Sequence, residues 1–334
     1  MMNYNKIKRI VLNSVVGVVL CNYCIYSQDC PDDSYTYFSD EEIPGNVTVV
    51  DQDNCFSNYD IDVLLDIISL NGLDYGSPLE LGLQTWAGER LKIWVATYVP
   101  SGGNGLTQKI DQLPNNFGQL SELTTLYLEK HDFTELPDSF TSLSNLVNLY
   151  LSNNWLTSLP GDIGSLINLA MLDLGYNQLE SIPESIGDLV NLEYLFLFNN
   201  QLTYLPETIC NLNLDWDGIN PANYPYFACG GNFLCCSEMI PDCVENSANL
   251  NTSMEQNYYS FLLDSPQICV ELGDINGDVA WNVLDIVALA NCVLALSCTE
   301  LTNSCTADMN GDGTHNVLDI VALANCVLAQ NCGN

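Results

Sequence analysis

Two stretches near the C-terminus place oxygen-bearing side chains at one alternating spacing. Asp274, Asn276, Asp278, Asn282 and Asp285 stand in the first, and Asp308, Asn310, Asp312, Asn316 and Asp319 in the second. Counted from its first Asp, each set falls at loop positions 1, 3, 5, 9 and 12. A loop with that alternation wraps its oxygens around a hard cation, with a backbone carbonyl from position 7. Ala280 and Thr314 occupy position 7. Two Asx-rich turns would not require oxygen side chains in matched register, so the spacing predicts two Ca2+ sites. The sites are not equal. Position 6, where such a loop turns sharply, is Gly313 in the second and Val279 in the first. A β-branched residue disfavours φ above zero, so the first site is expected to be the weaker.

A loop of this kind needs a rigid element at its C-terminal end to hold its shape. The run Asn282-Val-Leu-Asp-Ile-Val-Ala-Leu-Ala-Asn-Cys-Val-Leu-Ala295 reappears letter for letter at 316–329, an offset of 34. Each loop therefore opens into a helix that is apolar nearly all round. Two such helices can bury one face against each other and leave Val and Leu for solvent or a partner. These paired loop-helix units resemble a dockerin module of type I, over about residues 269–334. The resemblance implies calcium-dependent folding and docking onto a cohesin domain, often within polysaccharide-degrading assemblies. Positions 10 and 11, which in dockerins help select the cohesin, are Val283-Leu284 and Val317-Leu318 here, apolar in both copies. Six cysteines between Cys269 and Cys332 suggest more staples than such a module usually has, and near-twofold helices would pair Cys292 with Cys326.

Upstream, Leu-x-x-Leu-x-Leu recurs every 23 residues from Leu123, Leu146, Leu169 and Leu192. Each copy ends in an apolar-Pro step, at Pro137, Pro160, Pro183 and Pro206, and a further step at Pro114 lies one period earlier. A unit this short cannot bury its own apolar face, so the copies must stack into a solenoid with one shared core. Within a copy, Leu149, Tyr150 and Leu151 alternate as a short strand, leucines inward. Asn154 turns the chain, its amide placed to satisfy backbone groups left unpaired by the bend, and Asn177 and Asn200 repeat it. Pro160 opens the return on the outer side. The segment resembles leucine-rich repeats of the 23-residue Leu-Pro-x-x-Ile-Gly-x-Leu type, which implies a curved solenoid with a parallel sheet on its concave side. His131 departs from the pattern by standing where other copies have Asn. The outer-turn glycine (Gly118, Gly164, Gly187) becomes Thr141 in one copy and Cys210 in the last.

Strands of a parallel sheet lie about 4.8 Å apart, so one repeat position makes a column across the concave face. The column between the inward leucines is Tyr127, Tyr150, Asp173 and Phe196, flanked by Tyr176, Tyr194 and Phe198. Glu129, Lys130, Asn148, Ser152 and Asn153 lie among them. Rigid aromatics with amide and hydroxyl groups between them can grip a protein segment or stack on sugar rings. A protein or peptide ligand is the first expectation and a glycan the second.

Lys6, Lys8 and Arg9 followed by the apolar run Ile10–Leu20 read as a secretory signal peptide ending at Ser27. Without it the chain carries a formal charge of −38, and no Lys or Arg occurs after Lys130. Such a surface repels nucleic acid and anionic membrane. No segment reads as membrane-spanning. Thirteen cysteines after the signal fit an oxidising compartment, in groups bracketing the N-terminal cap (Cys30, Cys55), between Cys210 and Cys243, and in the C-terminal module. Pairing within groups leaves the odd thiol in the five-membered middle one. Only His131 and His315 exist, neither set to activate a nucleophile. The expected organisation is a signal peptide (1–27), an N-terminal cap with a first irregular repeat (28–122), four repeats (123–214), a Cys-rich C-terminal cap (215–245), a linker (246–268) and the dockerin-like module (269–334). The fold class is an α/β solenoid followed by a small all-α module of paired calcium loops and helices. The function read from it is a secreted, non-catalytic adaptor attached to a cohesin-like or surface partner, with an accessory glycan-binding subunit as the alternative.

Overall fold

The computed structural model describes residues 30–51, 54–234, 240–257, 259–268, 272–278, 280–298, 304–310, 314–330 and 332. The expected signal peptide, Val279, Gly313, Asp312, Cys235, Cys236 and Cys269 lie outside them.

The repeats form three-residue strands at Thr125–Tyr127, Asn148–Tyr150, Met171–Asp173 and Tyr194–Phe196, paired in parallel. Their register sets Leu126, Leu149, Leu172 and Leu195 side by side, all fully buried. Each return runs through a short 3-10 turn after its proline step, as at Asp138–Ser142, Glu184–Asp188 and Glu207–Asn211. The coils approach so closely there that a Cβ on Gly187 would stand 2.3 Å from the Thr208 carbonyl oxygen. In the copy with Thr141, the hydroxyl instead donates to the Asp162 carboxylate at 3.0 Å. Cys210 joins Cys243 of the short helix α2 (Asp242–Glu245), which fastens the C-terminal cap.

The asparagines do what the bend requires. Asn177 Nδ2 donates to the carbonyls of Leu151 and Leu174 at 3.0 Å each, and its Oδ1 accepts from Leu156 N–H at 3.1 Å. Asn154 and Asn200 donate in the same way. His131 keeps two of these bonds: Nδ1 accepts from Ile110 N–H at 3.0 Å and Nε2 lies 2.6 Å from the Ala96 carbonyl. That arrangement needs a neutral ring with the proton on Nε2, and burial lowers the His131 pKa to about 4. The residue before each bend adopts φ above zero: Lys130, Asn153, Tyr176 and Asn199. For Lys130 and Tyr176 this costs about 1–2 kcal/mol, borne by the stacked coils on either side.

The ladder runs one coil beyond the four repeats. Phe227–Ala228 pairs in parallel with Tyr194–Phe196, and Asn232 Nδ2 reaches the carbonyls of Leu197 and Cys229. Cys229 fills the place of the second leucine as a buried free thiol, its pKa pushed up by burial. It is a free thiol in the middle group, whose Cys235 and Cys236 lie outside the described residues.

Three expectations are corrected. The first irregular repeat, within 28–122, does not start from a single strand as the later repeats do. Leu83–Ala87 and Arg90–Val95 form an antiparallel hairpin because Gly88 and Glu89 both take positive φ, the geometry of a tight two-residue turn. It joins the sheet between Val47–Val49 and Thr125–Tyr127, and the guanidinium of Arg90 grips buried Asp60 on helix α1 (Asn58–Leu70) through two bonds. The Cys30–Cys55 disulfide closes this cap.

Residues 246–268 are not a linker. Thr252–Met254 and Leu262–Asp264 pair as an antiparallel hairpin laid on the concave face. Met254, Tyr259 and Leu262 supply apolar contacts to Phe196 and Phe198, spaced among polar residues that conceal them in composition.

In the C-terminal module, α3 (Val283–Ala295) and α4 (Val317–Ala329) pack around Ile275, Leu289, Ala307 and Leu323. Cys292 bonds Cys298 rather than Cys326, and Cys326 bonds Cys332. The left-handed caps Leu296 and Gln330 turn the chain back, bringing each distal cysteine onto its own helix. No helix among the described residues is long and apolar enough to cross a membrane.

Candidate calcium loops and concave-face groove

The first loop is organised on Asp285. As the third residue of α3 it completes a capping box with Asn282, its Oδ2 accepting from Asn282 N–H at 2.9 Å. Its Oδ1 accepts from Ile275 N–H at 3.0 Å and Asn276 N–H at 3.2 Å, so one buried carboxylate ties both ends of the loop to the helix. Asp274 Oδ1 accepts from Gly277 and Asp278 N–H. The carboxylates of Asp274, Asp278 and Asp285 offer oxygens that all lie within 4.8 Å of one another. Three anions so close repel unless a cation lies among them, and a donor set made only of oxygen suits Ca2+. The residues fit the ion. Asn276, Ala280 and Asn282 belong to the same loop and complete the predicted set.

The second loop repeats the arrangement where it is described. Asp319 is buried, caps α4 with Asn316, and accepts from Asn316 N–H at 2.7 Å and Asn310 N–H at 3.3 Å. Asn316 Nδ2 donates to the Thr314 carbonyl at 3.2 Å, and Asp308 precedes the loop turn. Val283, Leu284, Val317 and Leu318 are 63 %, 58 %, 62 % and 58 % exposed, equivalent pairs at the two helix starts.

The structure divides the predicted concave set. Tyr127 and Tyr150 stack at 4.2 Å between ring centroids and stay half-buried. Asp173 and Phe198 are closed off by the hairpin and leave the ligand-facing set, while Phe196 is packed under the hairpin and borders the remaining cavity only at its floor. Gly175 makes room for this: a Cβ there would meet the Phe198 ring at 2.4 Å. Tyr259 packs edge-on against Phe198 and donates to Asp173 Oδ1 at 3.4 Å, while Tyr176 donates to the Met254 carbonyl at 2.7 Å. Burial pushes Asp173 up to about 7, and the Glu129 charge adds to that against the Gly175 N–H bond. Burial also raises Glu129, whose carboxylate accepts from the Thr97 hydroxyl at 2.7 Å.

Beside the covered part lies a cavity of about 450 Å³ between the hairpin tip and the open tyrosines. Tyr150, Tyr194 and Met171 line it from the sheet, Asn220 and Tyr224 from the C-terminal cap, and Gln256 and Asn257 from the hairpin. Glu129, Lys130, Asn148 and Asn153 also border it, whereas Ser152 is buried. Lys130 Nζ donates to the Asn257 carbonyl at 2.9 Å, which pins the tip. The sequence reading missed the residues from the cap and hairpin. They lie outside the 23-residue period, and their only signal was tyrosine recurring in polar sequence.

Residues 144–202 match the Leucine rich repeat family, and residues 272–328 match the Dockerin type I domain family. No curated protein matches the chain. Among solved structures, it is similar to a leucine-rich repeat protein of Leptospira interrogans (34% identity, TM-score 0.33), over 43% of this chain and 40% of that one. It is similar also to the leucine-rich repeat ectodomain of a receptor kinase from Arabidopsis thaliana (24% identity, TM-score 0.39), over 48% of this chain and 91% of that one. An internalin from Listeria monocytogenes aligns at 24% identity and TM-score 0.32, over 44% and 37%.

Proposed function

On the premise that this chain joins leucine-rich repeats to a type I dockerin domain, we propose that it is a secreted, non-catalytic adaptor. Its C-terminal module attaches it, with calcium, to a cohesin-like protein in an extracellular or surface assembly. Its solenoid carries the recognition site. The observation that supports attachment most strongly is the doubling of one apolar pair: Val283-Leu284 and Val317-Leu318 stand exposed at the starts of two identical helices. Each pair sits inside its oxygen loop, between the ligands at positions 9 and 12, so an ion in the loop orders the helix start that presents it. Two Ca2+ sites, in loops 274–285 and 308–319, are part of this reading.

An open concave face would suit a folded protein, which typically covers about 800 Å² per partner. The hairpin covers half of the predicted face and leaves a groove, which suits a chain-like ligand, a peptide segment or a glycan, better than a globular surface.

The test is binding of the full-length protein to a panel of type I cohesins by surface plasmon resonance, with calcium and with chelator. Binding to at least one cohesin with calcium only, lost when Val283, Leu284, Val317 and Leu318 are replaced by Asp, is the expected result. Calcium-independent binding, or binding indifferent to those replacements, removes the attachment reading.

A further inference from the structure

We propose that the groove between the hairpin tip and the Tyr127–Tyr150 pair binds a neutral oligosaccharide. This rests on the reading of the concave face as the recognition site and names its ligand class.

The cavity, about 450 Å³, is of the size that holds a small ligand rather than a protein surface. Its apolar walls are flat rings, Tyr150, Tyr194 and Tyr224. A pyranose ring has C–H faces that lie against such rings and a rim of hydroxyls that must be met by hydrogen bonds. The groove supplies partners for that rim. The side-chain amides of Asn153, Gln256 and Asn257 make no hydrogen bond among the described residues, and each offers donor and acceptor side by side, the pairing that adjacent hydroxyls need.

Charge decides between sugars. Both ionisable groups at the groove's edge are already engaged, Lys130 with the Asn257 carbonyl and Glu129 with the Thr97 hydroxyl. The Lys130 ammonium is tied to the hairpin tip beside the Glu129 carboxylate, and a chain of formal charge −35 repels polyanions such as uronates and sulfated sugars. The same geometry disfavours a peptide. Extended peptides are commonly gripped through main-chain bonds at a sheet edge, but this groove lies on a sheet face where the strands already pair with one another.

Isothermal titration of the full-length protein in calcium tests this, using cellohexaose, xylohexaose, laminarihexaose and mannohexaose as neutral probes. Oligogalacturonate serves as the acidic probe and a pooled decapeptide library as the peptide probe. We expect one or more neutral probes to bind, with affinity falling about tenfold in Tyr150→Ala and in Tyr224→Ala. Tyr224 is on an exposed cap loop, so its loss leaves the melting temperature unchanged and separates ligand contact from folding. Binding of none of the neutral probes overturns the proposal, as does neutral binding unchanged in both variants, or preference for the acidic probe. Peptide binding that Tyr150→Ala abolishes overturns the saccharide while leaving the groove as the recognition site. Cohesin binding measured on the same samples shows separately that the attachment reading stands or fails.

Discussion

In the solenoid, each repeat adds a strand, a buried leucine row and an asparagine to coils already in place. In the C-terminal module, the repeat adds a second loop and helix, yet the buried core cluster among the described residues is only Ile275, Leu289, Cys292, Cys298, Ala307 and Leu323. Burial accumulates in the first and cannot in the second. A core that small supplies little stability, so the module draws on the Cys292–Cys298 and Cys326–Cys332 disulfides and, by its donor set, on a cation. Its identical helices also leave Leu294 and Leu328 largely exposed, whereas the solenoid's leucines are covered on every side.

Chelation should separate the two regions most sharply. Removing calcium from the full-length protein is expected to abolish the helical order of the module while the solenoid melts at its usual temperature, seen as the loss of one of two calorimetric transitions. Two transitions both unchanged by chelation would mean the module stands on its disulfides. Next in size is Leu172→Ala, expected to cost the solenoid about 4 kcal/mol in urea unfolding without altering calcium affinity. Asn177→Ala leaves two carbonyls and one N–H unpaired between coils and should cost about 3 kcal/mol, again only in the solenoid transition.

The pH dependence is smaller and its sign is set by Asp173. The folded carboxyl titrates at about 7 against 3.8 when exposed, so below about pH 4 both states hold the proton. Between about 4 and 7 the unfolded chain ionises while the folded one does not, and stability is lost as pH rises. His131 acts the other way: its folded value of about 4 against 6.5 means stability is lost as pH falls through that interval. Wild type should therefore be nearly level from about pH 4 to 6.5. Asp173→Asn removes one slope, leaving a solenoid about 2 kcal/mol more stable than wild type at pH 7 and with no such advantage at pH 4. An equal gain at both pH values would exclude this titration as the cause.

Smallest is Val279→Gly, which should tighten the first of the two proposed calcium sites about tenfold and leave the second unchanged. Calcium titration by calorimetry reads it directly, and two unchanged affinities would remove the expected inequality of the loops.

The solenoid was legible because a period of 23 residues repeats the cause along with the pattern. One leucine row and one asparagine bend explain every copy, and the His131 exception keeps two of the same bonds. The coil ending at Asn232 was missed since it comes 32 residues after Asn200 and puts a cysteine in a leucine's place. The loops at 274–285 and 308–319 were legible for a similar reason, as metal-ligand spacing is a local property of the chain. The disulfides were not. Equal helix positions suggested Cys292 with Cys326, but a left-handed residue after each helix decides the partner, and no letter announces it.

Sequence alone determined the stacked core, the bends and the two oxygen loops, because each depends on residues within one repeat. Tertiary structure decided how much of the concave face is open. The aromatic columns from Tyr127 to Phe198 read alike in the sequence, but a hairpin from a polar stretch settles Met254 and Tyr259 on one half and leaves the groove beside it. That outcome rests on contacts between residues some eighty positions apart, such as Tyr259 with Asp173 and Tyr176 with Met254, which periodicity does not encode.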